Sequence, residues 1–331
     1  MLLALAVAGL VAFALSRLNL KRAGHALITA SPGWIALSFV LMGSSLVLRS
    51  VSWHQVLRAA LPDSVIAWAP VIRATMIGVM ASAVFPGRIG EPTRVVVITR
   101  HLQGSRRRLL AVVAGTVFSQ TLINLLALAG LAAITFSGAP LLNGSAVGVV
   151  TAVAIPLALA VIVLFGPRVL ATAQRSRSER VRRAAAATAR LLSLARQGMV
   201  VFRRPGHGVG AIASQLLAWA LQWLACYMVV LALGLQSQAT LVTAAAVLLA
   251  VNVSAVLPAT PSNVGVFQAA CLVVLAAYGV GAGAALAYGI ILQAVEVVTA
   301  LALGVPALFG EGLRWQDIRS PARGSTDEGA Q

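Results

Sequence analysis

Acidic side chains are scarce in this chain: 8 Asp and Glu among 331 residues, against 25 Lys and Arg. Charge of either sign is thin, at 10% of residues, where a soluble domain carries about a quarter. A chain so poor in charge could not cover its own surface as a water-soluble monomer. Cysteine is rarer still. Cys226 and Cys271 both lie in apolar runs, with no Cys-x-x-Cys and no histidine beside them, so they read as packing residues rather than a disulfide or metal site. His25, His54, His101 and His207 are scattered near predicted span ends without metal-ligand spacing, and read as interfacial polar residues. No nucleophile elbow, phosphate-binding loop or paired-carboxylate motif occurs. The glycine-rich turns 206–210 and 278–283 follow no strand, so they are not dinucleotide sites. Neither metal nor cofactor is expected.

What remains is apolar. Hydrophobic residues make up 60% of the chain, and mean hydropathy is +0.93. Several runs reach the roughly 20 residues a helix needs to cross the hydrocarbon core. They are continuous rather than alternating, as in 241–257 (LVTAAAVLLAVNVSAVL), which favours helices over a barrel. The expected class is all-α: a polytopic integral membrane protein with candidate spans 1–16, 33–52, 65–85, 109–135, 146–166, 208–235, 239–257, 264–281 and 284–310. Segments 65–99 and 239–281 read equally as full spans or re-entrant hairpins, giving seven to nine crossings. The N-terminal apolar stretch lacks a positive n-region, and Arg17, Lys21 and Arg22 follow it, so it reads as a short first span rather than a signal peptide.

The net charge of +17 sits in the connections. Segment 167–207 holds ten arginines against the single acid Glu179. Basic loops beside apolar spans mark the cytoplasmic side, which accounts for the charge without nucleic acid. Residues 180–200 are either a basic helix on the anionic inner leaflet or a solvated loop. From that anchor, loop 136–145 falls outside, Arg100, Arg106, Arg107 and Arg108 fall inside, turn 235–240 falls outside, and the tail with Arg314, Arg319 and Arg323 falls inside. The orientation of the N-terminus stays open. The chain divides into a membrane domain, 1–310, with halves 33–166 and 208–310 joined by the basic segment, and a polar cytoplasmic tail, 311–331.

An internal echo links the halves. Residues 82–86 read Ser-Ala-Val-Phe-Pro and 254–258 read Ser-Ala-Val-Leu-Pro. Each is followed by a Pro-x-x-x-Gly, Pro86 to Gly90 and Pro261 to Gly265. Small residues coincide easily in alanine-rich sequence, yet duplicated halves with broken helices are the common architecture of transporters, whose sites lie at the breaks.

The most unusual stretch is 85–94, Phe-Pro-Gly-Arg-Ile-Gly-Glu-Pro-Thr-Arg. Its prolines and glycines disfavour continuous helix, and Pro92 suits the first turn of a new one. That puts Glu91 near a helix start and Arg94 within its first turn. The free N–H groups there favour an anion, and Arg88 and Arg94 flank them. Two readings stand side by side: a phosphate-binding mouth, or a bend held by a Glu91–Arg pair. Arg73, in span 65–85, is a candidate partner for Glu91 or for a lipid phosphate.

These residues carry a resemblance. Pro86-Gly87-Arg88-Ile89-Gly90-Glu91, followed by Arg94, resembles the P-G-R-x-G-E-x-x-R signature of the lysylphosphatidylglycerol synthase transmembrane family, also called flippase-like. Pro261-Ser262-Asn263-Val264-Gly265-Val266-Phe267 is similar to its second element, P-G-G-x-G-x-x-E. Ser262 and Asn263 replace its glycines, and Gln268 stands where its acid is expected. Residues Arg49 to Leu57 loosely resemble its R-W-x-x-L-L segment. The likeness covers roughly residues 1–310. It implies a protein that moves or presents an anionic or zwitterionic phospholipid, or a polyprenyl-phosphate-linked precursor. Two-domain relatives carry a soluble aminoacyl transferase domain after the membrane part. This chain ends about twenty residues past its last span, so synthase activity is not expected to carry over.

Glu296 forms an i, i+3 polar pair with Gln293 on the last span, and an intramembrane carboxylate is either a functional group or a packing partner. Gln120 with Asn124, and Gln215 with Gln222, place amides on single helix faces, as interhelical glue or as the lining of a head-group path. The leading expectation is a lipid translocase of the cytoplasmic membrane, in which Arg88, Gly90, Glu91, Arg94 and Arg73 bind the head group and Pro261, Asn263, Gly265 and Gln268 complete the site. The alternative is a non-catalytic membrane partner of a glycosyltransferase or lipid-modifying enzyme.

Overall fold

A computed structural model describes residues 26–85, 89–138, 204–255 and 263–312. The expected spans 1–16 and 146–166, most of segment 167–207, the tail beyond 312, and Arg88, Pro261 and Ser262 lie outside the described residues. Among those described the structure is entirely helical. After a short turn at 26–29 come α1 (Pro32–Ala60), α2 (Trp68–Val84), α3 (Gly90–Thr99), α4 (Arg106–Gly138), α5 (Pro205–Ala232), α6 (Leu241–Ser254), α7 (Val266–Ala277) and α8 (Ala282–Gly310).

Four helices contain stretches long and apolar enough to cross a membrane: α1, α4 (over Arg108–Thr135), α5 and α8. Proline opens both α1 and α5, at a position where its missing N–H costs nothing. The other apolar helices are shorter. Helix α2, with 17 residues, is about 25 Å long, and α3, with 10, about 15 Å. The expected span 65–85 is thus α2, and its continuation is α3 running back. The residues that settle this are Arg73 near the start of α2, His101 just past the end of α3, and Glu311 just past the end of α8. Glu311 holds both of the others, Arg73 Nε at 2.5 Å and His101 Nε2 at 2.6 Å. The outer ends of α2 and α3 therefore share one face, and the pair is a re-entrant hairpin. Its arms touch through Gly78 and Gly90, backbone against backbone.

Helices α1 and α5 pack side by side in opposite directions. Ser38 Oγ donates to the Ala225 carbonyl at 2.9 Å, Ser52 Oγ to that of Ala211 at 2.8 Å, and Gln55 Oε1 pairs with His207 Nδ1 at 2.8 Å. Exchanging α1 with α5, α2 with α6, α3 with α7 and α4 with α8 carries every substantial helix–helix contact onto another one. The cross-half pairs show it best: α8 packs on α2 as α4 packs on α6. With α1 and α5 antiparallel, this is the pattern of an inverted repeat; the echoed Ser-Ala-Val-x-Pro motif suggested duplicated halves but not their relative direction. The break between α6 and α7 falls at 255–265, as that between α2 and α3 falls at 85–89. The α2–α3 hairpin enters from the face holding the ends of α1 and α8, and the α6–α7 pair from the opposite face.

Two apolar cores result. One surrounds α6 and α7, with Met42 of α1 and Leu131 of α4; the other surrounds α2 and α3, with Ala211 of α5 and Leu308 of α8. Between them lies a polar layer. The two cysteines are free and buried in the first core, as expected of packing residues. His54 corrects the interfacial reading of the histidines. It is buried, stacked on Trp68 at 3.7 Å, with Nε2 3.0 Å from the Ile66 carbonyl oxygen.

Candidate functional site

The polar layer forms because helices from both halves place their few polar side chains at one level. Glu296 lies 14 residues from either end of α8 (296 − 282 and 310 − 296), at its midpoint. Arg94 is the fifth residue of α3, just past the first turn in which the sequence suggested it. Its Nη1 donates to Gln120 Oε1 at 2.7 Å, and its Nη2 pairs with Glu91. The guanidinium lies 4.8 Å over the Trp53 ring of α1. Gln120 carries the line onward. Its Nε2 donates to the Arg49 backbone carbonyl at 3.0 Å and reaches Gln215 Oε1 at 3.5 Å. Gln215 Nε2 then donates to Asn124 Oδ1 at 2.6 Å, which also accepts from Trp219 Nε1 at 3.0 Å.

Arg49 is the second cation of the layer. Its Nη2 donates to Gln222 Oε1, its guanidinium sits 5.6 Å over the Trp219 ring, and Glu296 faces it as counter-charge. Gln222 also hydrogen-bonds Glu296. Each of these arginines thus has one amide and one indole; Arg94 also has Glu91 in contact, while Glu296 acts on Arg49 only through its charge. Each keeps a buried Nε without a partner. Arg94 and Gln120 are buried; the Glu91 side chain is half exposed, at 51%.

The second half repeats one piece of this. Gln268 on α7 donates from Nε2 to Gln293 Oε1 on α8, as Arg94 on α3 donates to Gln120 on α4. Gln268 Oε1 accepts the Gly265 N–H at 2.7 Å, capping the start of α7. An amide does both jobs, where an ionised acid could only accept. Asn263 (φ +52°) and Gly265 (φ +89°) both hold the left-handed backbone, which explains a glycine-rich element here and why asparagine is tolerated.

Of the sequence-derived residues, the structure joins Glu91, Arg94, Gln120 and Asn124 in one network, with Glu296 next to Arg49, and Gln268 with Gln293. Gly90 serves as the contact point of the hairpin arms. Arg73 is not Glu91's partner: it is bound to Glu311 at the membrane face, and Arg94 takes Glu91 instead. Burial raises the Glu311 carboxyl, but hydrogen bonds from His101 and Arg73 outweigh it and hold the group below its usual range. Arg49 and Trp53, noticed in the sequence only within the R-W-x-x-L-L likeness, and Trp219 are site residues to which sequence reasoning gave no role. A lone arginine inside an apolar run was the available signal for the first. No cluster of three or more metal-ligating side chains occurs among the described residues.

Searches of the curated proteins and of the solved structures return no significant match. The family model described as the lysylphosphatidylglycerol synthase TM region matches residues 1–304, nearly the whole of the membrane part. The chain belongs to the lysylphosphatidylglycerol synthase transmembrane family.

Proposed function

We propose that the protein moves a phospholipid or a lipid-linked precursor between the leaflets of the cytoplasmic membrane. The observation that supports this is the buried seam from Glu91 and Arg94 through Gln120 to Arg49, Gln222 and Glu296. A charged head group crosses bare hydrocarbon at high cost, and such a seam offers amides and guanidiniums in place of water. Two hairpins converge on it from opposite faces, as broken elements do around transporter sites. Glu91, half exposed at the inner end of the α2–α3 hairpin, marks the mouth.

The arginines of the described connections and helix ends, Arg58, Arg100, Arg106 to Arg108 and Arg204, all fall on the face where α2 and α3 begin and end. We assign that face to the cytoplasm. A membrane-impermeant thiol reagent applied to intact cells should then label Gln236→Cys in the α5–α6 turn and spare Ser105→Cys before α4. The reverse pattern would invert the assignment.

Purified protein in vesicles carrying fluorescent phospholipids tests the activity. Head-group-dependent scrambling is expected. Silence with every phospholipid and polyprenyl-phosphate carrier tried would overturn it and favour a membrane partner of a glycosyltransferase or lipid-modifying enzyme.

A further inference from the structure

We infer that Arg49 and Arg94 form a single anion seat, joining the mouth to the centre of the membrane domain, and that the seat takes the phosphodiester of a lipid head group. The inference rests on the translocase reading and adds to it a residue, Arg49, and a ligand chemistry.

Four observations carry it. First, the two guanidiniums share one stripe of α1. Arg94 lies over Trp53, and Trp53 is four residues beyond Arg49, which places it one turn along the same helix face. Second, one side chain ties them together, since Gln120 accepts from Arg94 and donates to the Arg49 backbone. Third, Nε of each arginine is buried without a partner. A buried guanidinium with an idle donor is costly to leave so, and Nε together with one Nη is an edge that grips phosphate through two parallel bonds. Fourth, the two guanidiniums are near enough to repel one another, Arg94 acting against the charge on Arg49. A tetrahedral oxyanion placed between them relieves both deficits.

A phosphodiester carries one charge and two non-bridging oxygens, which can accept from the idle Nε of both arginines. Its lipid tails remain in the hydrocarbon while the phosphate occupies the seam. Free inorganic phosphate has the same recognition chemistry but no tails to hold it at that depth, so the two sources part experimentally.

The probes are dimethyl phosphate, inorganic phosphate and co-purified phospholipid. Detergent-solubilised protein is titrated with each anion while tryptophan fluorescence is followed, because Trp53 and Trp219 lie under the two guanidiniums. Phospholipid retained after gentle extraction is counted by native mass spectrometry. Arg49→Gln is made in the Glu296→Gln background, which keeps the layer neutral, and is compared with Glu296→Gln alone. Arg94→Gln and the surface control Arg58→Gln complete the set. Loss of either seat arginine should weaken dimethyl phosphate about ten-fold or more and strip retained phospholipid, with the control unchanged. Arg49→Lys should fold and recover binding only in part.

If Arg94→Gln weakens binding and neither Arg49 variant does, the shared seat is wrong and the translocase reading survives. If Arg58→Gln is as damaging as Arg49→Gln, the effect is general charge and the seat is wrong. If inorganic phosphate binds as tightly as dimethyl phosphate and no phospholipid is retained, the phosphodiester assignment falls. If the anions and variants behave as expected while vesicles show no lipid movement, the seat stands and the translocase reading falls.

Discussion

Gly90→Ala should open the α2–α3 hairpin and remove the head-group mouth with it. A Cβ built at Gly90 would stand 1.9 Å from the Gly78 carbonyl oxygen and 2.2 Å from Ser82 Oγ. The nearest atom is backbone, so no rotamer change relieves the clash and the two arms must part. Overpacking of this kind costs about 1–3 kcal/mol, and a backbone obstacle puts it at the upper end. Separation of the arms also moves Arg94, which sits one turn beyond Gly90, away from Gln120. The reverse substitution site, Gly78→Ala, meets the Gly90 oxygen at a looser 2.9 Å and should cost less. Gly130→Ala is the control: nothing lies within 4 Å, and alanine there should stabilise α4 by about 0.5–1 kcal/mol. Thermal unfolding in detergent separates the three. A Gly90→Ala protein as stable as the parent would mean the arms do not meet as described.

Arg49→Ala should also destabilise the protein, because it removes the cation whose charge acts on Glu296. Loss of that cation and of its hydrogen bond to Gln222 should cost about 1–3 kcal/mol. Gln222 would lose its donor as well, and Trp219 the cation above its ring. Glu296→Gln made alone should cost less, since Arg49 keeps Gln222 and the indole. Combined with Arg49→Ala it should return a large part of the lost stability, giving a coupling energy of about 1–3 kcal/mol in a double-mutant cycle. Strict additivity of the two substitutions would show that the pair is solvated and uncoupled.

Much of this architecture was legible in the sequence, and the reasons are local. Pro86 with Gly87 and Gly90, and Pro261 with Gly265, interrupt apolar runs, and breaks in helices are dictated by a few neighbouring residues. The echoed motif announced the repeat for the same reason. Gln120, Gln215 and Gln222 are buried, and helical spacing already placed Gln120 with Asn124 and Gln215 with Gln222 on shared faces. What periodicity does not fix is the partner. Arg73 and Glu311 are 238 residues apart, and nothing in span 65–85 distinguishes a partner at the far end of α8 from Glu91 eighteen residues on. Arg49 was equally opaque: its value comes from Trp219, Gln222 and Glu296, supplied by two other helices. Gln268 looked like a loss of the family's acid, and its double use as cap and donor appears only once Gln293 stands opposite.

If the face that carries Arg58, Arg100, Arg108 and Arg204 is the cytoplasmic one, as proposed, its charge has a kinetic consequence. A cationic side chain close to an anionic leaflet is attracted by about 1 kcal/mol. By the same interaction, each one draws acidic lipids toward itself and raises their local abundance roughly five-fold where charges act singly. Arg100 stands at the outer end of one arm of the α2–α3 hairpin on that face. On the proposed cytoplasmic assignment, the anionic lipid beside this face would be set by these arginines rather than by the bulk leaflet, and would fall as ionic strength rises and the Debye length shrinks below about 8 Å.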